Sequence, residues 1–548
     1  MNFHKAAVAV MTVLLLAVLL LLGSYVAAAN APIAFLLTAD GQSESLTAWQ
    51  DDAGDLYVFL PSYARLEQLT VQRKLSVDGV LLRRGQSCES LCLGYPYVLD
   101  GHSGRHLTFV RSENLPVLYI QTQSGSMDYI HQKKGNKETG LLHLYTPEGA
   151  LAYSGSIRSI QMRGNNCDAQ KKEPYSLRLQ TAADLLGMGS AEKWILLSNS
   201  FDRSHIRNKL IYDAAQEVGL AFSPQCQWAD LYLNGEYAGL YLLSQRNEVA
   251  PNRVTLENGT GFLVSQELRE RLQDQKLPYF ETPLGGVLRI HFNNLDEHTM
   301  ENIWARAEQA LTENADWTQW IDLDSWAKKF LIEEVFANLD GSHISQFFYG
   351  GADGKIYAGP VWDYDIALGN PLHIPDPTLP ILLTCIPLEQ GGSIWYYRLY
   401  ENPEFYAYMT QVYKRQFLPL LQKLTEQGID DYASHIRASA QMNQLRWGTG
   451  SMEADVDNLK TFLRCRTNFL NRIWLEGEPY VLLTVVNHRD ISKTYALPTG
   501  ANIPQSLLEQ PGQWYREDRQ TPFDTAQPIT HSTTVYFLAE LFSEDASQ

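Results

Sequence analysis

The stretch from His343 to Asp365, HISQFFYGGADGKIYAGPVWDYD, constrains this chain more than any other. It reads as a β-hairpin, with SQFFYG as one strand, GADG as the turn and KIYAGPVWD as the return strand. A hairpin folds its ends together. Asp340, just before it, and Asp363, at its exit, are therefore expected to converge although 23 residues separate them. Side chains alternate along a strand, so Asp363 and Asp365 are expected on one face. Three carboxylates drawn to one point repel unless a cation or basic groups lie between them. The preceding segment, IDLDSWAKKFLIEEVFANLD, reads as a helix with Trp326, Phe330, Leu331 and Val335 on one face, Asp324 or Ser325 as its cap, and its end at Asp340-Gly341.

A carboxylate at a loop before a hairpin, with further carboxylates after it, is a layout suited to phosphoryl transfer. One aspartate orients the attacking hydroxyl and accepts its proton, while another holds Mg²⁺ against the nucleotide phosphates. Magnesium keeps several waters, so one or two carboxylates suffice. Taken singly, the same residues have plainer readings. Asp363 and Asp365 suit a cap or an arginine pair, Arg163 a bridge between surface carboxylates, and Arg207 and Asn208 the packing of a helix. His343 reads as a loop histidine, and Trp362 and Tyr364 as core or pocket wall.

Upstream, DRSHIRNKLIYDAAQEVGL has the apolar stripe of a helix, with Ser204 as its cap and Gly219 as its end. WADLYLNG and EYAGLYLLSQ follow as two strands joined at Asn234-Gly235, a strong hairpin signal. Residues 30–112 and 476–548 alternate short apolar strands with polar turns and read as flanking β-rich modules around a central unit, 113–475. The formal charge of −18 argues against nucleic acid and anionic membrane as partners, and it means that any anionic ligand needs local basic groups or a metal. At the N-terminus, Lys5 precedes an apolar run from Ala6 to Leu22 and small residues near Ala29. Residues 1–29 therefore read as an export signal or a retained membrane anchor. Cys88 and Cys92 are close enough to bridge a small loop, while the remaining cysteines are scattered and none has zinc-finger spacing.

Four segments, RGNNCDAQKKEPYSLRL, LLGMGSAEKWILLSNSFDRSHIRNKLIYDAAQEVGL, ADLYLNGEYAGLYLLSQ and AGPVWDYDIALGN, stand in the order found in the CotH family of spore-coat-type atypical kinases. The chain resembles that family from about residue 116 to about residue 475. The resemblance implies an α+β fold with a divergent protein-kinase-like two-lobe core, the N-lobe at about 113–250 and the C-lobe at about 251–475. It also implies ATP- and Mg²⁺- or Mn²⁺-dependent phosphorylation of Ser or Thr in an exported surface, spore or envelope protein. Carried over by position, Asp340 matches the catalytic aspartate and Asp363 the metal-binding one, with Asp365 and Ser345 beside the metal. Lys171 or Lys172 matches the phosphate-neutralising lysine, Arg163 and Asn165 the phosphate-facing turn, Arg207 a group orienting lysine or phosphate, and Gln245 a position where glutamate is frequent. Asn166-Cys167 stands where the family has Ser or Thr and an aromatic residue, and the metal-binding asparagine after the catalytic aspartate is missing. Two other readings follow: a non-catalytic envelope scaffold on a kinase-like core, and, ranked last, a glycan hydrolase using paired carboxylates.

Overall fold

The computed structural model describes residues 32–101, 104–164, 172–341, 344–374, 376–387, 392–487, 492–508 and 512–539. The architecture is mixed α+β. Its centre is a closed barrel of seven strands: Val117–Thr122, Glu138–Tyr145, Leu151–Met162, Tyr175–Asp184, Ser190–Leu197, Glu236–Gln245 and Cys226–Leu233. Parallel pairing of the last strand with the first closes the ring. Alternation sends Leu118, Ile120, Leu142, Leu177, Leu231 and Leu243 into one apolar cluster. The Asn-Gly hairpin forms as its sequence requires, because Asn234 (φ 50°) and Gly235 (φ 87°) both take the left-handed conformation of the tight turn.

The helix after the fifth barrel strand spans Arg207–Glu217, two residues later than a Ser204 cap would set it. Asp202 explains the delay. Its carboxylate accepts from the Ser204 amide and hydroxyl with one oxygen and from the Arg207 amide, at 2.9 Å, with the other. These bonds hold residues 202–206 in a turn and satisfy the first amide of the helix.

Beyond the barrel lies a five-stranded antiparallel sheet in the order Tyr279–Glu281, Val287–Asn293, Phe262–Gln266, Phe347–Gly350, Ile356–Ala358. One face is apolar, with Phe348 against Trp304, Trp326 and Trp395. The opposite face carries Ser265, Arg289, His291 and Phe347. Ser265 is paired across the strands with Arg289 and Phe347, and His291 bonds Ser265 at 2.8 Å and stacks on Phe347. Under the apolar face runs the helix Leu323–Val335. Its cap is Asp322, which accepts from the Ser325 amide, and it stops five residues short of the expected end at Asp340. Two long helices, Ile429–Trp447 and Met452–Trp474, complete this half, and the first lies against the barrel through Trp447 and Ser439.

The flanking segments are β-rich. Residues from the N-terminal flank share a core with the barrel's outer face, where Phe59 meets Tyr237 at 4.8 Å and Tyr232 donates to the Phe59 carbonyl. The C-terminal strands form a five-stranded sheet that takes in Ile381–Leu382. Among the described residues Cys88, Cys92, Cys226, Cys385 and Cys465 are unpaired, so the small loop at Cys88 and Cys92 is not bridged. No described helix is long and apolar enough to cross a membrane. The N-terminal apolar run lies outside the described residues.

Candidate active site

The return strand is shorter than the sequence suggested. It ends at Ala358, a cis Gly359-Pro360 bond follows, and Asp363 and Asp365 sit in irregular backbone. Asp363 itself has φ 70°, so strand alternation does not set the directions of the two aspartates. Side-chain bonds to the main chain fix this segment instead. Asn247 donates to the Val361 carbonyl (3.2 Å), Tyr212 accepts from the Asp363 amide (3.4 Å), Asn208 accepts from the Tyr364 amide (2.8 Å), and Asn370 donates to the Asp365 carbonyl (2.8 Å).

Hairpin closure brings the acidic groups together. The Ser345 hydroxyl donates to Asp363 Oδ2 at 3.2 Å. Burial, then the nearby Asp363 and Glu267 charges, push the Asp340 carboxyl up to about 6, against the opposing pull of Arg271. Burial and the charges of Asp363, Asp202 and Asp340 raise Asp365 well above the carboxylate range. Asp340, Asp363 and Asp365 thus share one field, with Ser345 bonded to Asp363.

A buried network supports both loops from below. Lys329, one turn before Glu333 on the same helix, bonds Glu333, Gln346 Oε1 (2.7 Å) and the Tyr364 hydroxyl (3.3 Å). Glu333 also accepts from Tyr364 and from Asn338 Nδ2 (2.9 Å). Gly341 fits against this carboxylate, and a Cβ there would collide with Glu333 Oε2. Lys329 and Glu333 were not distinguished in the sequence from an ordinary i, i+4 helix pair.

The positively charged candidates divide. Arg163 lies over the Trp362 ring at 5.1 Å. Burial lowers its proton affinity and Asp363 is the strongest force restoring it, which places it beside the acidic cluster. Lys172 turns elsewhere. Its ammonium donates to the Ser198 carbonyl (2.9 Å) and the Leu240 carbonyl and lies over the Tyr241 ring, with Asp230 as its charged neighbour. Arg207 is likewise committed, to Asp202, to Asp455 (2.7 and 3.0 Å) and to the Ala367 carbonyl (2.8 Å). Its expected role in orienting a phosphate gives way to the plainer role of packing a helix. Gln245 is spent on backbone, accepting from Gln225 and donating to Met188 and Asn252 carbonyls. Asn165, Lys171 and His343 lie outside the described residues.

Among the described residues no group of three or more His, Cys, Asp or Glu side chains is arranged to hold a metal ion. A hard cation that keeps most of its waters needs fewer ligands. The residues fit such an ion: Asp340 and Asp365 hold protons more tightly than free carboxyls in part because Asp363 stands beside them. A divalent ion would relieve that repulsion.

The profile of the CotH kinase protein family matches residues 160–470, more than half of the chain. The chain belongs to this family. No curated protein matches it. The family match spans both sides of the site, from Arg163 at the barrel's end to Asp455 on the last long helix.

Proposed function

We propose that this chain is an exported, kinase-like phosphotransferase that moves the terminal phosphoryl group of ATP to a Ser or Thr hydroxyl of a surface or envelope protein. In this reading the barrel is one lobe, and the five-stranded sheet with its helices is the other. The observation that carries it is the convergence of Asp340 with Asp363 and Asp365 across the hairpin, with Arg163 beside them. Asp340 orients the acceptor hydroxyl and takes its proton as the oxygen attacks phosphorus and the bond to the leaving diphosphate breaks. Asp363, steadied by Ser345, and Asp365 would hold Mg²⁺ or Mn²⁺, which when bound neutralises phosphate oxygens. Labelled ATP, Mg²⁺ or Mn²⁺ and a Ser-rich acceptor supply the assay. Incorporation should vanish in Asp363→Ala and fall steeply in Asp340→Asn, and equal labelling by wild type and Asp363→Ala would refute the reading.

A second reading, a non-catalytic envelope scaffold, draws on Lys172, whose ammonium is satisfied by backbone carbonyls rather than offered to phosphate. ATP with metal should raise the melting temperature of an enzyme and leave that of a scaffold unchanged.

A further inference from the structure

With Lys172 turned away and Lys171 outside the described residues, the described groups that bring positive charge to a triphosphate are found by their contacts with the aspartate segment. Arg163, the first residue past the Leu151–Met162 strand, lies over the Trp362 ring at 5.1 Å, and Arg246 is the first residue past the Glu236–Gln245 strand. Asn247, adjacent to Arg246, bonds the Val361 carbonyl and so anchors that end to the aspartate segment. Facing it, Arg289 projects from the polar face of the five-stranded sheet, opposite Ser265, whose strand pairs in turn with the one leading out of Ser345.

Arg246 is the hinge of this arrangement. It is exposed, yet close enough to both neighbours to weaken their hold on a proton. Burial first, and the Arg246 charge in addition, lower Arg163 and Arg289. His291, beside them, is lowered to about 3 by burial and then by Arg289 and Arg246. Among the described residues none of the three arginines makes an ion pair; Asp363 and Glu267 act on Arg163 and Arg289 only at longer range. Arg289 Nε is buried without a hydrogen-bond partner. Arg246 thus repels both Arg163 and Arg289, and Arg289 keeps an unused buried donor, all beside the carboxylate cluster. Such a set is stable when an anion with several oxygens lies among it.

We infer that Arg163, Arg246 and Arg289 form an arc that grips the polyphosphate chain of the nucleotide, a task that Lys172 does not perform. The inference rests on the phosphotransferase reading and assigns to Arg246 and Arg289 a function that no motif in the sequence announces. A grip built from several guanidiniums favours ligands by the number of their phosphates, and part of the binding needs no metal.

Calorimetric titration of the full chain with adenosine, AMP, ADP, ATP and inorganic tripolyphosphate, with and without Mg²⁺, tests it. Affinity should climb with phosphate number. Arg246→Gln, at an exposed position, should weaken ATP and tripolyphosphate roughly tenfold, leaving adenosine unaffected. Arg289→Gln should do the same. Wild-type ATP affinity in both variants would overturn the arc and leave the phosphotransferase reading intact. Arg246-dependent binding of tripolyphosphate without binding of ATP would keep the arc and sink that reading. Binding of neither ligand would end both.

Discussion

Asp363 is held at φ 70°, a backbone region that costs an ordinary L residue about 1–2 kcal/mol and that Asp and Asn tolerate best. Asp363→Asn should therefore melt like wild type, whereas Asp363→Ala should lose about 1 kcal/mol of stability. Both should cut phosphotransfer by about 100-fold or more, because the charge is gone in each. Equal melting of the two variants would show that the conformation places no demand on this side chain. A second residue-scale prediction concerns His205, buried beside Lys172 and lowered to about 3, by burial first and then by that ammonium, against the opposing pull of Asp455. Its folded value lies below its unfolded one. The stability it supports is complete above pH 6.5 and drains away as pH falls toward 3, at about 1.4 kcal/mol per unit. Between pH 7 and 5 urea unfolding should lose about 2 kcal/mol more in wild type than in His205→Asn, which keeps a side chain tolerant of φ 58°. Parallel losses would clear His205. At this scale the sequence was a partial guide. The aspartates were legible because the hairpin that unites them is local. The direction of Lys172 was not, since it depends on carbonyls of Ser198 and Leu240, far away along the chain. Arg289 and His291 did leave a trace, two basic groups on one face of the alternating strand VLRIHFN, but nothing in that strand says what they face.

Helices and strands carry a different lesson, since their centres were readable and their ends were not. The Leu323–Val335 helix and the Asn-Gly hairpin form from local periodicity and turn chemistry. The helix nonetheless stops before Ala337, which takes φ 47°, and the chain then turns so that Asn338 and Gly341 meet Glu333 from above. That turn, rather than the helix end, positions Asp340. The demand falls on Gly341, where even one methyl would strike a carboxylate that is already shared among Lys329, Tyr364 and Asn338. Gly341→Ala should cost about 1–3 kcal/mol through overpacking. It should also lower kcat more than the KM for ATP, since the displaced loop carries Asp340 and not the arginine arc. A variant with unchanged kcat would separate the Glu333 network from the catalytic loop.

Across the whole molecule, contacts distant in sequence decide how the parts stand. The N-terminal flank was separable on paper at residue 112, yet its Phe59 sits among Tyr119, Tyr232 and Tyr237 of the barrel, so the boundary crosses a shared core. A still longer link is made by Arg207. Fully buried on the helix after the barrel, it reaches Asp455 on the last long helix, Asp202 in its own approach turn, and the Ala367 carbonyl just past Asp365. One guanidinium thus ties the barrel side, the C-terminal helices and the aspartate segment together. Removing it would leave two buried carboxylates facing each other next to Asp365, which already feels the Asp202 charge. Arg207→Met should therefore lose about 3–5 kcal/mol of unfolding free energy, the cost of orphaning buried charge. Adding Asp455→Asn should recover part of that loss by removing one of the two orphaned charges, which simple loss of packing volume would not allow. Urea unfolding of the two variants decides between the accounts: a double variant no more stable than Arg207→Met would mean that shape, not charge, is what Arg207 supplies where the two halves meet.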